Sequence, residues 1–120
     1  MKIRIHEIEM GSSDLSASGS FYKMLGLQSV IEQSDLMVFN SGLNGIDLNV
    51  SKHLSQGVTQ ISFITDDLKA VMQLLTMHTI PFEGPYESHL GMLAVKLQSP
   101  DGIPIVINTP TDSSPTWLQV

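Results

Sequence analysis

The sequence predicts an α+β fold built from two βαβββ units. Short segments alternate polar and apolar residues, as half-buried strands do, and two segments carry apolar residues at helical spacing. The same order of elements also occurs in both halves of the 120-residue chain. A shift of 53 residues aligns the first strand-like segment with a second one, and an Asp-Leu pair follows each of them.

The first unit is predicted over residues 1–50 and begins with a strand over residues 2–10. Asp14 is expected to cap the helix that follows, because its side-chain oxygen accepts a backbone N–H, and Gly26 is expected to end that helix as a C′ glycine. Three strands are then predicted over residues 28–33, 36–40 and 45–50, the last two joined by the turn "NSGLNG". The apolar face of the helix is predicted to comprise Leu15, Ser18, Phe21, Tyr22 and Leu25.

The second unit, residues 57–108, repeats this plan. A strand is predicted over 58–65, and Asp66 or Asp67 caps a helix. An extended segment follows over 80–84, then strands over 91–98 and 103–108 on either side of the turn "SPDG". Residues 1–110 are therefore predicted to form one domain, and the Pro-, Ser- and Thr-rich tail 111–120, with Trp117, is predicted to be loose. The apolar face of the second helix is predicted to comprise Leu68, Val71, Met72 and Leu75.

The composition excludes several classes of function. The formal net charge is −6 and Lys and Arg form no cluster, which argues against nucleic-acid binding. The absence of cysteine excludes disulfides and thiolate metal sites. No apolar run is long enough to span a membrane, and the first residues do not resemble a signal peptide. The sequence therefore predicts a cytoplasmic protein.

Several motifs in these units resemble the vicinal oxygen chelate superfamily, which includes glyoxalase I, bleomycin-resistance proteins, fosfomycin-resistance enzymes and extradiol dioxygenases. The resemblance covers residues 2–108 and rests on "SDLSASGSFYKMLGL" after the first strand and on "SPDGIPIVI" before the last one. It implies that each unit curls its mixed sheet into a half-barrel around a cleft, with the helices on the outer faces. It also implies a homodimer.

The resemblance further implies a divalent metal held by four positions, on the first and last strand of each unit. In this sequence those positions are Glu7, Asp47, Gln60 and Val106. The typical set is His, Glu, His and Glu, so neither histidine is present, and valine supplies no donor atom. The remaining oxygen donors suit at best a loosely held hard cation such as Mg²⁺, Mn²⁺ or Ca²⁺. We therefore expect no tightly held metal or other cofactor.

Strand parity identifies the candidate ligand-binding residues, because alternate side chains of a strand point to the same face. The resemblance places one of the two faces in the cleft, which would then contain three carboxylates. Crowded carboxylates raise one another's pKa unless a cation neutralises them. A polar, acidic cleft of this kind favours an amine-bearing ligand. The predicted ligand-binding residues are Glu7, Glu9, Asp47, Asn49, Gln60 and Ser62.

Three functions remain open from the sequence. The first is a small-molecule binding protein of the bleomycin-resistance or glyoxalase type, with an acidic cleft and a degenerate metal site. The second is a divalent-metal-dependent lyase, isomerase or dioxygenase with an unusual oxygen-ligand site. The third is an interaction module whose cleft is vestigial. The same parity leaves a solvated strand face as the plain alternative for Glu7 and Glu9.

Overall fold

A computed structural model describes residues 1–40, 45–100, 102–118 and 120. The chain divides into two compact units, which we call the N-unit (His6–Ile61) and the C-unit (Met1–Ile5 with Ser62–Val120). The turn predicted at "NSGLNG" falls mainly on residues 41–44 and the "SPDG" turn includes residue 101, so both lie partly outside the described residues. The helices and strands are β1 (Ile3–Gly11), α1 (Leu15–Met24), β2 (Gln28–Glu32), β3 (Leu36–Asn40), β4 (Asp47–Ser51), β5 (Thr59–Thr65), α2 (Leu68–Met77), β6 (Glu83–Glu87), β7 (Leu93–Gln98) and β8 (Pro104–Thr109).

Each unit contains a sheet with one helix packed on it, as an α+β fold requires. In the N-unit the strand order is β2-β3-β4-β1; β1 is parallel to β4, and the other pairs are antiparallel. In the C-unit the order is β5-β8-β7-β6, and β7 is antiparallel to both β6 and β8. The sequence predicted residues 80–84 only as an extended segment. In the structure, strand β6 begins at Glu83 and forms an edge of its sheet. No helix in the described part of the chain is long and apolar enough to cross a membrane.

The two helices begin in the same way. The side chain of Asp14 accepts the backbone N–H of Ala17 at 3.0 Å, and that of Asp67 accepts the N–H of Ala70 at 3.0 Å. Each cap is an extended residue that satisfies one of the orphan donors of a helix N-terminus. The sequence left Asp66 and Asp67 open, and the structure assigns the cap to Asp67. The 53-residue repeat therefore extends to the individual hydrogen bonds.

The two helices also end in the same way, but with different residues. After α1, the N–H groups of Gly26 and Leu27 bond back to the carbonyls of Lys23 and Tyr22, which is the Schellman arrangement. After α2, Thr79 occupies the place of Gly26, with φ of 58° against 99°. A β-branched residue is strained in this left-handed region, whereas glycine is not.

Each helix packs on an apolar cluster of its own sheet. In the N-unit, Leu15, Phe39 and Val50 are buried, with Leu48 and Met37 beside them. In the C-unit, the predicted face of α2 packs on Val95 and Ile107, with Phe63 and Ile105 also in contact. Alternate residues of β4, β5 and β8 thus face the helices, as parity predicted, and the intervening residues face away from them.

The predicted apolar face of α1 is partly wrong. Phe21 and Leu25 are 52% and 61% exposed, whereas Gly19 is buried. A Cβ at Gly19 would lie 2.6 Å from the sulfur of Met37, so the helix packs closely against β3 at this point. The buried face therefore includes the glycine, which a search for apolar side chains overlooks.

The tail begins with an ordered turn. The backbone N–H of Thr111 bonds to the hydroxyl of Ser114, and the hydroxyl of Thr111 donates to the carbonyl of Gly91 at 2.6 Å. Gly91 lies so close to Ser113 that a Cβ would be 2.8 Å from backbone atoms. Trp117, farther along, is 67% exposed. Beyond this first turn, looseness of the tail stays a prediction.

Candidate functional site

Three carboxylates lie on one face of the N-unit sheet. Strands β1 and β4 are parallel and in register, with Glu7 opposite Asp47 and Glu9 opposite Asn49. Paired residues on neighbouring strands are only about 4.8 Å apart and point to the same side. The alternate residues Leu48 and Val50 pack against α1, so the acids occupy the side away from the helix. We call the surface formed by Glu7, Glu9, Asp47 and Asn49 the acidic face.

Glu7 is buried and is held by an amide. Its carboxylate Oε2 accepts the side-chain N–H of Asn49 at 2.9 Å, and the exposed fractions of the two residues are 8% and 6%. A buried carboxylate needs hydrogen-bond donors, and the amide of Asn49 supplies one. The other amide atom of Asn49, Oδ1, is also buried and has no hydrogen-bond partner in the described part of the chain. On this face, Oδ1 of Asn49 is thus a buried acceptor without a partner among the described residues.

Glu9 is the next residue after Glu7 on the same face of β1, and its pKa is raised. Burial raises the pKa of Glu9 above its ordinary value of 4.5, and the charge of Glu7 raises it further. His53 acts in the opposite direction and lowers the pKa of Glu9. A carboxyl group with these neighbours gains when a cation binds beside it, because the cation favours the charged form.

His53 follows β4 by two residues, and no motif in the sequence associates it with the acids. Its Nε2 lies 3.2 Å from Oδ2 of Asp35, and both side chains are about half exposed. The backbone fixes this position, since the N–H of His53 bonds to the hydroxyl of Ser51. His53 therefore lies close enough to the acidic face to lower the pKa of Glu9. His53 and Glu9 are far apart in the sequence. The parallel pairing of β1 and β4 brings them close together.

The remaining candidate residues lie on β5 and β8. Gln60 belongs to the N-unit and is half-buried. Ser62 belongs to the C-unit and is 2% exposed. Their roles as ligand-binding residues stay predictions. Asn108, which the repeat aligns with Asn49, is 1% exposed, and neither atom of its amide has a partner among the described residues.

A surface groove elsewhere in the molecule has different chemistry. It lies on the C-unit, and its volume is about 590 Å³. Its two charged lining residues, Glu83 and Lys96, are opposite each other in the β6–β7 register and have opposite charges. The groove therefore has no net charge to attract an ionic ligand, whereas the acidic face has three carboxylates.

The metal implied by the resemblance does not fit these residues. Val106 is 8% exposed and has no donor atom, and an oxygen of Glu7 is already engaged by Asn49. Nowhere in the described ranges do three or more His, Cys, Asp or Glu side chains converge as an ion requires. A catalytic transition metal needs at least three good protein ligands. We therefore derive no chemical step through a metal.

Comparison of the sequence with protein-family models and with curated proteins gives no match. Solved structures are similar to the chain throughout its length. A glyoxalase/bleomycin resistance protein/dioxygenase superfamily member from Vibrio splendidus is 18% identical, with a TM-score of 0.68 over 91% of this chain and all of that one. Methylmalonyl-CoA epimerase from Streptomyces coelicolor, in complex with 2-nitronate-propionyl-CoA, gives the same identity and TM-score over 90% and 97%.

A third similar structure is methylmalonyl-CoA epimerase from Mycobacterium tuberculosis, which is 14% identical with a TM-score of 0.68 over 89% of this chain and 87% of that one. Structural similarity of this extent, at so low a sequence identity, shows a shared fold and nothing further. The similarity agrees with the repeated βαβββ plan and its matching helix caps. The chain therefore has the fold of the vicinal oxygen chelate superfamily.

Proposed function

We propose that this protein binds a small cationic, amine-bearing molecule on its acidic face, in the manner of a bleomycin-resistance or glyoxalase-type binding protein with a degenerate metal site. The observation that carries the proposal is the buried pair of Glu7 and Asn49 beside the perturbed carboxyl of Glu9. Binding without bond-making is enough to account for these residues.

Charge supports the proposal. The N-unit contains six Asp and Glu against two Lys, so it carries −4 of the net −6. Three of these acids converge on one face, and convergence is what makes a net charge attractive to a particular ligand. A cation bound there offsets the mutual repulsion of Glu7 and Glu9, and this gain adds to the direct attraction.

Access also supports the proposal. Glu7 and Asn49 are almost fully covered, but Glu9 and Asp47 are only partly buried. A ligand would therefore contact Glu9 and Asp47 at the surface, with Glu7 beside Asp47 in the strand register. In a half-buried position an ion pair is screened less by salt than on an open surface.

The proposal extends to Gln60 and Ser62 as further ligand-binding residues, since parity gives them the same orientation on β5 as Glu7 and Glu9 have on β1. The predicted homodimer and the cytoplasmic location are also part of it. Sedimentation velocity tests the dimer, which would have twice the monomer mass of 13.1 kDa.

The alternative of a metal-dependent lyase, isomerase or dioxygenase has less support, because the donor set is incomplete at Val106. The perturbed carboxyl of Glu9 is what remains in its favour, since a raised pKa suits a general base. Turnover that requires Glu9 and an added divalent ion would establish this alternative instead.

Isothermal titration with putrescine tests the proposal, with the neutral diol of the same chain length as control. We expect saturable heat with putrescine and none with the diol. Glu9→Gln should weaken the affinity by about tenfold, since a charge-assisted contact contributes roughly 1.5–3 kcal/mol. Glu87→Gln, which makes the same change of charge on exposed β6, should leave the affinity unchanged. Absence of both heat and thermal shift with putrescine and spermidine would overturn the proposal.

A further inference from the structure

The groove on the C-unit continues beyond its main cavity. A second cavity of about 600 Å³ adjoins the first, because Pro81 and Phe82 line both of them. Ile80, which is 39% exposed, also lines the second cavity. The groove therefore has an apolar part formed by these three residues and a polar end at Glu83 and Lys96, where β6 and β7 pair. An exposed apolar surface bounded by polar residues is typical of a contact with another molecule.

The polar end of the groove matches the chemistry of an indole. Lys96 is exposed there, and an ammonium group is attracted to the face of an aromatic ring, most strongly to that of tryptophan. Glu83 and Gln98 also line this end, and each side chain has an oxygen that accepts an N–H. A tryptophan side chain has a large apolar body and a single N–H that needs an acceptor when it is buried. An alkyl chain would leave both the cation and the acceptors unused.

The chain has a single tryptophan, and it lies on the surface. Trp117 is 67% exposed, and its indole N–H has no hydrogen-bond partner among the described residues. No residue after Asp112 has a charged side chain, and the charges of Glu83 and Lys96 are opposite. The end of the tail therefore meets no unbalanced like charge in the groove of another copy, although the formal net charge of the chain is −6.

The tail of one chain is held away from that chain's own groove. It is bonded to Gly91, just before the start of β7. The groove lies at the opposite end of β7, and the two ends of this strand (Leu93–Gln98) are about 17 Å apart. Two successive turns, at residues 111–114 and 115–118, each span less than about 7 Å and keep Trp117 nearer to the Gly91 end. Both turns would have to open before Trp117 filled its own groove.

We infer that the groove of the C-unit receives Trp117 of a second copy of this chain, whose own groove receives Trp117 of the first. A two-fold dimer is self-complementary, so the same surface must supply both the inserted side chain and the cavity, as the C-unit does. Tryptophan is enriched among the residues that dominate interface affinity, and each one buries about 150–250 Å². This exchange gives the predicted homodimer a defined interface that does not depend on cation binding.

Tryptophan fluorescence and sedimentation velocity of the full chain test the inference together, since Trp117 is the only tryptophan. We expect a dimer whose emission moves to longer wavelength on dilution, because the indole leaves the groove and meets water. A dimer that has the emission of an exposed indole would overturn the inference and leave the predicted homodimer standing. A monomer with the emission of a buried indole would show that the chain fills its own groove, and a monomer with an exposed indole would show that the groove is empty. Either monomer would overturn both the inference and the predicted homodimer, but not the proposed binding of a cation.

Three variants sharpen the result. Trp117→Ala should weaken dimerisation by at least about 30-fold, as expected for a dominant interface residue. Lys96→Gln should weaken it by about fivefold, because the cation above the indole is lost. Phe21→Ala truncates a 52% exposed aromatic side chain of the N-unit and should leave dimerisation unchanged. Dimerisation that Trp117→Ala does not weaken would overturn the inference, and the dilution of the unaltered protein decides it independently of any variant.

Discussion

The N-unit and the C-unit repeat the same order of strands and helix, but they have different side chains at the aligned positions. The repeat aligns Glu7 with Gln60, Glu9 with Ser62, Asp47 with Val106 and Asn49 with Asn108. Both helices are capped by an Asp and closed by the same pair of backbone bonds. The carboxylates, however, are confined to the N-unit positions. The fold therefore does not require them, and the proposed binding role would account for a carboxylate buried at Glu7 despite the solvation cost of its charge.

The two aligned asparagines give the largest expected contrast in stability. Asn49→Val leaves the carboxylate of Glu7 buried without its amide donor, and we expect a loss of about 2 kcal/mol in the free energy of unfolding. Asn108→Val removes an amide that has no partner within the described residues, so we expect no loss, or a gain of up to about 1 kcal/mol. Urea unfolding of both variants measures the contrast. Equal effects would contradict the different roles assigned to the two residues.

The helix ends give the next contrast. Gly26→Thr should lower the free energy of unfolding by about 1–2 kcal/mol, because φ is 99° and a side chain there is strained. A Cβ at this position would meet nothing within 4 Å, so the loss would report the backbone alone. Thr79→Gly should raise stability by about 0.5–1 kcal/mol by relieving the same strain. Thermal unfolding checks both, and a destabilised Thr79→Gly variant would show that the threonine is not strained.

Glu9 gives a smaller contrast that depends on pH. Its pKa in the folded protein is raised above the unfolded value near 4.5, so the folded state binds more protons between these two values. Stability should therefore fall as the pH rises through this window and level off above it. Glu9→Gln should be more stable than the unaltered protein at pH 7, and this advantage should disappear below the unfolded pKa. Thermal unfolding as a function of pH tests this, and a pH-independent difference would contradict it.

Added metal ions should have the smallest effect. Since Val106 supplies no donor and Glu7 is engaged by Asn49, Mn²⁺, Ni²⁺ and Zn²⁺ should each change the Tm by less than about 1 °C. Elemental analysis of the purified protein should give far less than one ion per chain. A stoichiometric ion that Glu7→Ala removes would instead support the metal-dependent alternative.

The sequence predicts most of this fold because its signals are local. Alternation gave the strands within a few residues, and capping chemistry identified Asp14 and Gly26. The helical spacing of apolar residues was misleading at α1. There, close packing against Met37 requires Gly19, and Leu25 is exposed. The short helical turn at His89–Gly91, which contains Leu90 at φ 55°, also has no local signal.

The candidate site was less predictable, because it depends on pairing between distant segments. Parity placed Glu7 and Glu9 on one face, but the register that brings Asp47 opposite Glu7 comes from the parallel β1–β4 pair. The same pairing brings His53 close enough to influence Glu9. Nor does any sequence pattern reveal that one amide atom of Asn49 is bonded and the other is not. Such features arise only when strands separated by 40 residues meet.

The central claim is that the acidic face of the N-unit binds a cation. Backbone amide chemical shifts recorded during titration with putrescine test it most directly, since they locate the ligand along the chain. We expect saturable shifts that are largest at residues 7–9 and 47–49, and that are much reduced in Glu9→Gln. Shifts that do not saturate, or that are as large along Glu83–Glu87 of the C-unit as at Glu7 and Asp47, would contradict the claim.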